Sequence, residues 1–433
     1  MQTYLYPSKE EWLGLLARPY TDQQMLLNRV KPIVETVRDK GDSALKDFTR
    51  QFDHIEVDSL LVSREEIEQA CMTIDNELKG AINRAMRNIQ TFHESQQHSI
   101  RKIETEPGVT CWQKSVAIEK TGLYIPGGSA PLFSTILMLA VPAKIAGCRE
   151  VYLCTPPAKD GSINPVILYT AHLTGVSAIY KVGGAQAIAA MAYGTESIPK
   201  VDKIFGPGNS YVTAAKQLVS LDGVAIDLPA GPSEVEVMAD ESANPSFVAA
   251  DLLSQAEHGP DSQVILITTS QQLAQEVTAE VERQTKELPR EQTALKALDN
   301  SRIIVVESQD EMIELTNLYA PEHLILEVKD DERIAQKITN AGSVFLGHYT
   351  PESAGDYASG TNHTLPTYGY ARAYSGVNLD SFTKKITFQK ITPEGLLSLG
   401  PVIETMARAE QLDAHRKAVT LRLQEINKES KGR

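Results

Sequence analysis

Gln255 and His258 stand three residues apart in Asp251-Leu252-Leu253-Ser254-Gln255-Ala256-Glu257-His258-Gly259-Pro260-Asp261. This stretch reads as the last turns of a helix stopped by Gly259-Pro260, because Gly suits the position after a helix and Pro cannot continue the ladder. Residues three apart share a helix face. An imidazole nitrogen is a common ligand for a zinc-like cation, and an amide oxygen is a weaker one. Asp251 and Glu257 add polar groups on other parts of the wheel. His258 also has a plainer use, since a cation beside the carbonyls of a helix end is favourable with no metal at all. Two further groups carry the same chemistry: the adjacent pair Glu322-His323, and Asp356 with His363 in a polar loop. A metal site gathers such pieces in space, and its ligands need not be close in the chain.

The elements around these residues are those of an α/β protein. Ser8-Lys9-Glu10-Glu11 and Ser63-Arg64-Glu65-Glu66 have the capping-box form and open helices. Residues 21–97 are sparse in Gly and Pro and helical in period, and His54, His93 and His98 read there as surface or cap residues. From residue 109 the pattern turns to strand. Strands and helices then alternate at short intervals, with the glycine-rich turns Gly183-Gly184-Ala185-Gln186 and Gly206-Pro207-Gly208-Asn209 between them. That repeat predicts a parallel sheet wound on both faces. Turns after such strands lie at the carboxyl edge, where backbone amides can approach an anion such as a pyrophosphate. Neither turn matches GxGxxG, so a dinucleotide fingerprint of the usual form is absent, and tight turns with no ligand remain an equal reading.

Residues 226–234 break the run, and a second series of strands and helices follows to residue 346. Glu322 and His323 stand at the entrance of a strand and can line one pocket rim. Residues 348–376 form a long segment of low charge with five tyrosines, which predicts an ordered, binding loop. A short strand at 386–389 and an amphipathic helix over about 401–426 end the chain. Glu410 and His415, five apart, fall about 140° apart on one helix. Either that helix breaks near Gln411 or one of the two is merely solvated.

Composition narrows the classes. A chain of 433 residues predicts more than one core, and 42 basic against 56 acidic residues, a net charge of -14, argue against nonspecific nucleic-acid binding. The N-terminus lacks the pattern of a signal peptide, and the most apolar segment, 132–146, is too short to span a bilayer. Cys71, Cys111, Cys148 and Cys154 show no CxxC, which fits a reducing cytoplasm and excludes thiolate zinc motifs. Cys148 and Cys154 read as buried and inert.

Several stretches, in this order and over nearly the whole chain, resemble the histidinol dehydrogenase family. They are Gly122-Leu123-Tyr124-Ile125-Pro126-Gly127-Gly128, Phe205-Gly206-Pro207-Gly208-Asn209, Ala230-Gly231-Pro232-Ser233-Glu234 and Ser254-Gln255-Ala256-Glu257-His258-Gly259-Pro260. Pro321-Glu322-His323 and Ser353-Ala354-Gly355-Asp356-Tyr357-Ala358-Ser359-Gly360-Thr361-Asn362-His363 complete the set. The resemblance implies an α/β fold of two incomplete Rossmann-like, doubly wound domains, one inserted in the other, with small N- and C-terminal helical extensions. The expected divisions are an N-terminal extension at 1–20, a metal- and substrate-binding domain at 21–123 and 235–377, an inserted NAD-binding domain at 124–234, and a C-terminal domain at 378–433 that reaches the partner subunit.

The implied reaction is a zinc-dependent, NAD-linked four-electron oxidation of L-histidinol to L-histidine through L-histidinal, in a cytoplasmic homodimer with shared active sites. One Zn²⁺ per subunit would be held by Gln255, His258, Asp356 and His415, the last from the C-terminal segment of the partner. Ser233, His323, His363 and Glu410 would contact substrate beside those four ligands, and Tyr124, Gln186 and Asn209 would contact NAD. His323 is suited to take the alcohol proton and Glu322 to activate water on the aldehyde. Glu236 departs from the family's usual apolar residue and is expected on an exposed face. Two rivals need less: a metal-dependent hydrolase, in which Glu322 activates water and no nucleotide binds, and a nucleotide-binding module without catalysis.

Overall fold

The computed structural model describes residues 1–19, 23–127, 131–229 and 231–431. Gly128 and Ala230 of the motifs above lie outside the described residues, as does the first expected boundary at 20–22. Two compact units are present, one of residues 1–96 and 118–382, the other of residues 97–117 and 383–433.

The larger unit holds two parallel sheets. In the six-stranded sheet the order across is Gln2–Leu5, Arg302–Val305, Gln263–Thr268, Glu234–Ala239, His323–Glu327 and Ser343–Leu346. In the five-stranded sheet it is Ala178–Lys181, Glu150–Thr155, Lys120–Tyr124, Lys203–Phe205 and Ala225–Ile226. Strands buried on both faces need apolar runs rather than alternation; accordingly every residue of Glu234–Ala239 and Gln263–Thr268 is buried. Helix Phe133–Ala146 is apolar all round for the same reason and sits inside the core.

Each sheet reverses direction at one strand. The chain leaves Lys120–Tyr124 toward one side of the five-stranded sheet and returns to its other side with Lys203–Phe205, so Tyr124 ends the strand at the switch point, where α/β folds open a crevice. In the six-stranded sheet the reversal is at Glu234–Ala239, flanked by Gln263–Thr268 and His323–Glu327.

The structure departs from or refines the sequence expectations at four places. Helices Gln23–Lys40, Arg64–Thr73 and Asn76–Glu94, whose period shows a buried side but not its partner, pack on helices of the five-stranded sheet. His93 is buried, its Nδ1 2.8 Å from the Ile89 carbonyl oxygen, rather than at the surface. The strand pattern from residue 109 belongs to the smaller unit, where Val109–Ala117 pairs antiparallel with Lys102–Glu106 and Thr383–Ile391. The final helix is two, Pro393–Ala409 and Asp413–Lys431, and the break falls at Gln411, the first of the two alternatives its sequence allowed, where a φ of 59° leaves the helical region.

Glu236 supplies a further correction. It is fully buried, accepts a hydrogen bond from Thr316 Oγ1, and has one carboxyl oxygen with no partner. Burial pushes its carboxyl from 4.5 up to about 8, against the smaller opposing pull of Thr316 and Arg18. A raised folded-state value means the folded chain keeps a proton that the unfolded chain has released, so this group's contribution falls as pH rises from 4.5 through about 8. The penalty at neutral pH is about 3 kcal/mol. Urea unfolding at about pH 5 and about pH 7 should show that slope reduced in Glu236→Gln relative to the parent. Equal slopes would contradict it.

Candidate active site

Helix Pro245–Ala256 begins with Pro245 in its first turn and the Asn244 side chain capping Ser246 N. Val248, Leu252 and Leu253 bury one side of it and leave Gln255 in its last turn, itself buried. His258 lies just beyond, at the helix end whose dipole favours positive charge.

Facing this helix end is the amino edge of the six-stranded sheet. His323 opens its strand opposite Val235, which puts Glu322 and His323 beside Ser233 and Glu234. Two backbone hydrogen bonds hold the pair. The Glu234 N–H donates to Glu322 Oε2 at 2.8 Å, and the Glu234 carbonyl oxygen lies 3.0 Å from His323 Nδ1. A carbonyl can only accept, so Nδ1 keeps a proton and Nε2 is the nitrogen at which one is gained or lost.

The third wall is the short helix Glu352–Tyr357, with Glu352 and Asp356 one turn apart. Glu352 is buried and accepts hydrogen bonds from Ser254 Oγ, at 2.6 Å, and from Gln255 Nε2. His323 Nε2 lies 3.7 Å from Asp356 Oδ1 and 3.9 Å from Glu352 Oε1. His363 Nδ1 sits 2.9 Å from the Asp356 carbonyl oxygen, and its Nε2 3.1 Å from Thr135 Oγ1. His258, Glu352 and Asp356 each offer a ligand atom within 4.8 Å of the others'.

The electrostatics are those of a cation site. Burial alone would raise Asp356, but His323 and the charges of His363 and His258 outweigh it and hold this carboxyl at about 2. Burial raises Glu352 to about 8, with neighbouring Asp356 and Glu322 adding to the rise. Burial pulls His323 down, yet Glu322 and Glu352 raise it well above the ordinary imidazole value. His363 is lowered by burial, against the pull of Asp356. Two polar atoms are left buried without a partner, Gln255 Oε1 and His323 Nε2. Gln255 turns its Nε2 toward Glu352, which leaves Oε1 as the amide's lone-pair atom, and a cation would satisfy it. The donor set therefore fits a zinc-like ion.

Two cavities adjoin here. One of about 520 Å³ is lined by Ser233, His258, Asn209, Pro126 and Tyr368. The other, of about 1090 Å³, is lined by Tyr124, Gln186, Gly184 and Asp53 and again by Pro126 and Asn209. Tyr124 Oη accepts from Gly184 N at 3.0 Å, and burial raises its phenol to about 12. Asn209 Oδ1 caps helix Ser210–Leu221 through Tyr211 N and Val212 N, which leaves its amide NH₂ for a ligand. Gly206, at φ 125°, admits no side chain, because a Cβ would strike the Tyr124 carbonyl. Buried Lys216 and Asp227 fix that turn from beneath.

The structure thus gathers Gln255, His258, Glu322, His323, Asp356 and His363 in one cluster, with Ser233 and His258 on one cavity and Tyr124, Gln186 and Asn209 on the next. Glu410 and His415 lie in the smaller unit, both exposed, on either side of the Gln411 break. Glu352 escaped the sequence reading, although its spacing of four from Asp356 is a helical signal inside a loop-like stretch. Cys154 is buried and Cys148 half-buried, and burial raises both thiols, Cys148 to about 11.

A family profile described as histidinol dehydrogenase matches residues 16–423. A histidinol dehydrogenase of Bacteroides thetaiotaomicron is 64% identical over 423 residues, covering 98% of this chain and 99% of that one. One from Yersinia pestis is 53% identical over 423 residues, covering 97% and 95%. The crystal structure of histidinol dehydrogenase from Elizabethkingia anophelis superposes with a TM-score of 0.97 at 56% identity, covering 99% of each chain. With motifs, fold and full-length similarity in agreement, the chain belongs to the histidinol dehydrogenase family of oxidoreductases.

Proposed function

We propose that the chain carries out the zinc-dependent, NAD-linked four-electron oxidation of L-histidinol to L-histidine through L-histidinal, the last two steps of L-histidine biosynthesis. The observation that carries this reading is the Glu322-His323 pair, held by both polar groups of one peptide residue, Glu234, beside a cluster fit for a cation. Gln255, His258, Asp356 and His415 of the partner subunit would hold Zn²⁺, whose charge would orient the amino alcohol and offset the carboxylates' pull on His323. Tyr124, Gln186 and Asn209 would seat NAD, which would supply the hydride acceptor for each half-reaction.

His323 Nε2 takes the hydroxyl proton as hydride leaves the alcohol carbon. Glu322, steadied by the Glu234 N–H, takes a proton from the water that adds to the aldehyde. The hydrate then yields a second hydride and the acid. No thiol is needed, in keeping with the raised thiols of Cys148 and Cys154. His363, Ser233 and Glu410 contact substrate, and the 378–433 segment reaches across a homodimer so that each site is shared. Cytoplasmic residence accords with the four cysteines unpaired in the chain and with no helix among the described residues being long and apolar enough to cross a membrane.

The test follows NADH formation from L-histidinol before and after treatment with a strong chelator, then with zinc restored. Roughly two NADH per histidinol, lost with the metal and regained with it, is the expected result. One NADH per histidinol, with the aldehyde accumulating, would reduce the reaction to a simple alcohol oxidation.

A further inference from the structure

We propose that Arg18, in the N-terminal arm, is a positioning residue that aligns Glu322 and His323 by clamping Glu234; this rests on the reading above, in which that pair acts on substrate. The clamp is two-pronged. Arg18 Nε donates to Glu234 Oε1 at 2.5 Å and its Nη2 to Glu234 Oε2 at 2.8 Å. The same Nη2 donates to the Tyr319 carbonyl oxygen at 2.9 Å, and the guanidinium lies 4.1 Å from the centre of the Tyr319 ring. The Tyr368 N–H completes the carboxylate's partners at 2.9 Å. Three contacts fix the Glu234 side chain at the start of its strand, and the backbone of the same residue supplies the N–H that holds Glu322 and the carbonyl that holds His323 Nδ1.

The arm is itself anchored on both sides of Arg18. Strand Gln2–Leu5 joins the edge of the six-stranded sheet, Gln263 Nε2 donates to the Ala17 carbonyl at 3.0 Å, and Tyr368 Oη donates to the Pro19 carbonyl. Arginine suits the task where lysine would not, because a planar fork fixes both the distance and the orientation of a carboxylate. An anchor of this kind could serve stability alone, and the consequence that separates the two roles is kinetic.

The experiment compares Arg18→Met, Arg18→Lys and Glu322→Gln in the zinc-loaded enzyme, measuring kcat and the KM for NAD in protein shown to be folded. Arg18→Met is expected to lose about 10²-fold in kcat, the scale of a small misplacement of reacting groups, with the KM for NAD unchanged. Arg18→Lys, keeping the charge but not the fork, should lose about tenfold. Parental kcat in either folded Arg18 variant overturns the inference, and if Arg18→Met does not fold, Arg18→Lys alone decides. Parental kcat in Glu322→Gln would instead overturn the role given to the pair.

Discussion

Glu322→Gln should stop the second oxidation while sparing the first. The amide keeps an oxygen for the Glu234 N–H, which the carboxylate accepts at 2.8 Å, so the side chain and the neighbouring His323 stay in place. What it loses is the ability to take a proton from water. General-base assistance contributes about 10²–10⁴-fold, or roughly 3–5 kcal/mol of barrier, and the aldehyde-to-acid step should slow by that factor. Interconversion of alcohol and aldehyde leans on His323 Nε2 and should survive. The separating measurement is NADH-dependent reduction of L-histidinal against its NAD-dependent oxidation, both on the same preparation. If both fall together, Glu322 is not the residue that activates water. His323→Asn, which removes the free Nε2, should slow both directions.

Much of this site was legible in the sequence, because the signals were local. Gln255 and His258 are set by a helix and its stop, Glu322-His323 by a strand entrance and Asn209 by a turn after a strand. Tyr124, which ends strand Lys120–Tyr124, was marked only by the family resemblance. The second series of strands and helices ends with strand Ser343–Leu346, at the residue where the pattern ends it. What was missed depends on partners far along the chain. Strand Gln2–Leu5 exists only through its pairing with Arg302–Val305, and a polar, mostly exposed tetrapeptide carries no sign of that. Period 3.6 shows that helices 23–94 have a buried side, but not which sheet they cover. Glu236 alternates with valines on a strand, a pattern that predicts a solvated face; burial of both faces of a central parallel strand overrides it. Glu352 was hidden because a stretch rich in Gly, Ser and Thr reads as loop, although a six-residue helix inside it is enough to bring two carboxylates to one cluster.

Asp356→Asn should cost the chain its metal without costing it its fold. In the cluster this carboxylate is the group held most firmly ionised, at about 2, against Glu352 at about 8. A neutral amide of the same shape keeps the short helix Glu352–Tyr357 but removes the full negative charge a dication requires. Zinc affinity, measured on the metal-free protein by competition with a chromogenic chelator, should fall by about 100-fold or more, a loss of at least about 2.7 kcal/mol. The metal-free variant should fold but melt somewhat below the metal-free parent, since a carboxyl held at about 2 by His323, His363 and His258 contributes stability at neutral pH that the neutral amide gives up. Added zinc should then raise the melting temperature of the parent much more than that of the variant, because stabilisation by a ligand follows its affinity. Glu352→Gln separates the two carboxylates: as the acceptor that turns the Gln255 amide, Glu352 acts beside the ion, and its loss should weaken zinc by about 10-fold, less than the loss of Asp356. Undiminished zinc affinity in Asp356→Asn would remove this residue from the metal set, and a larger loss in Glu352→Gln than in Asp356→Asn would make Glu352 the direct ligand in its place.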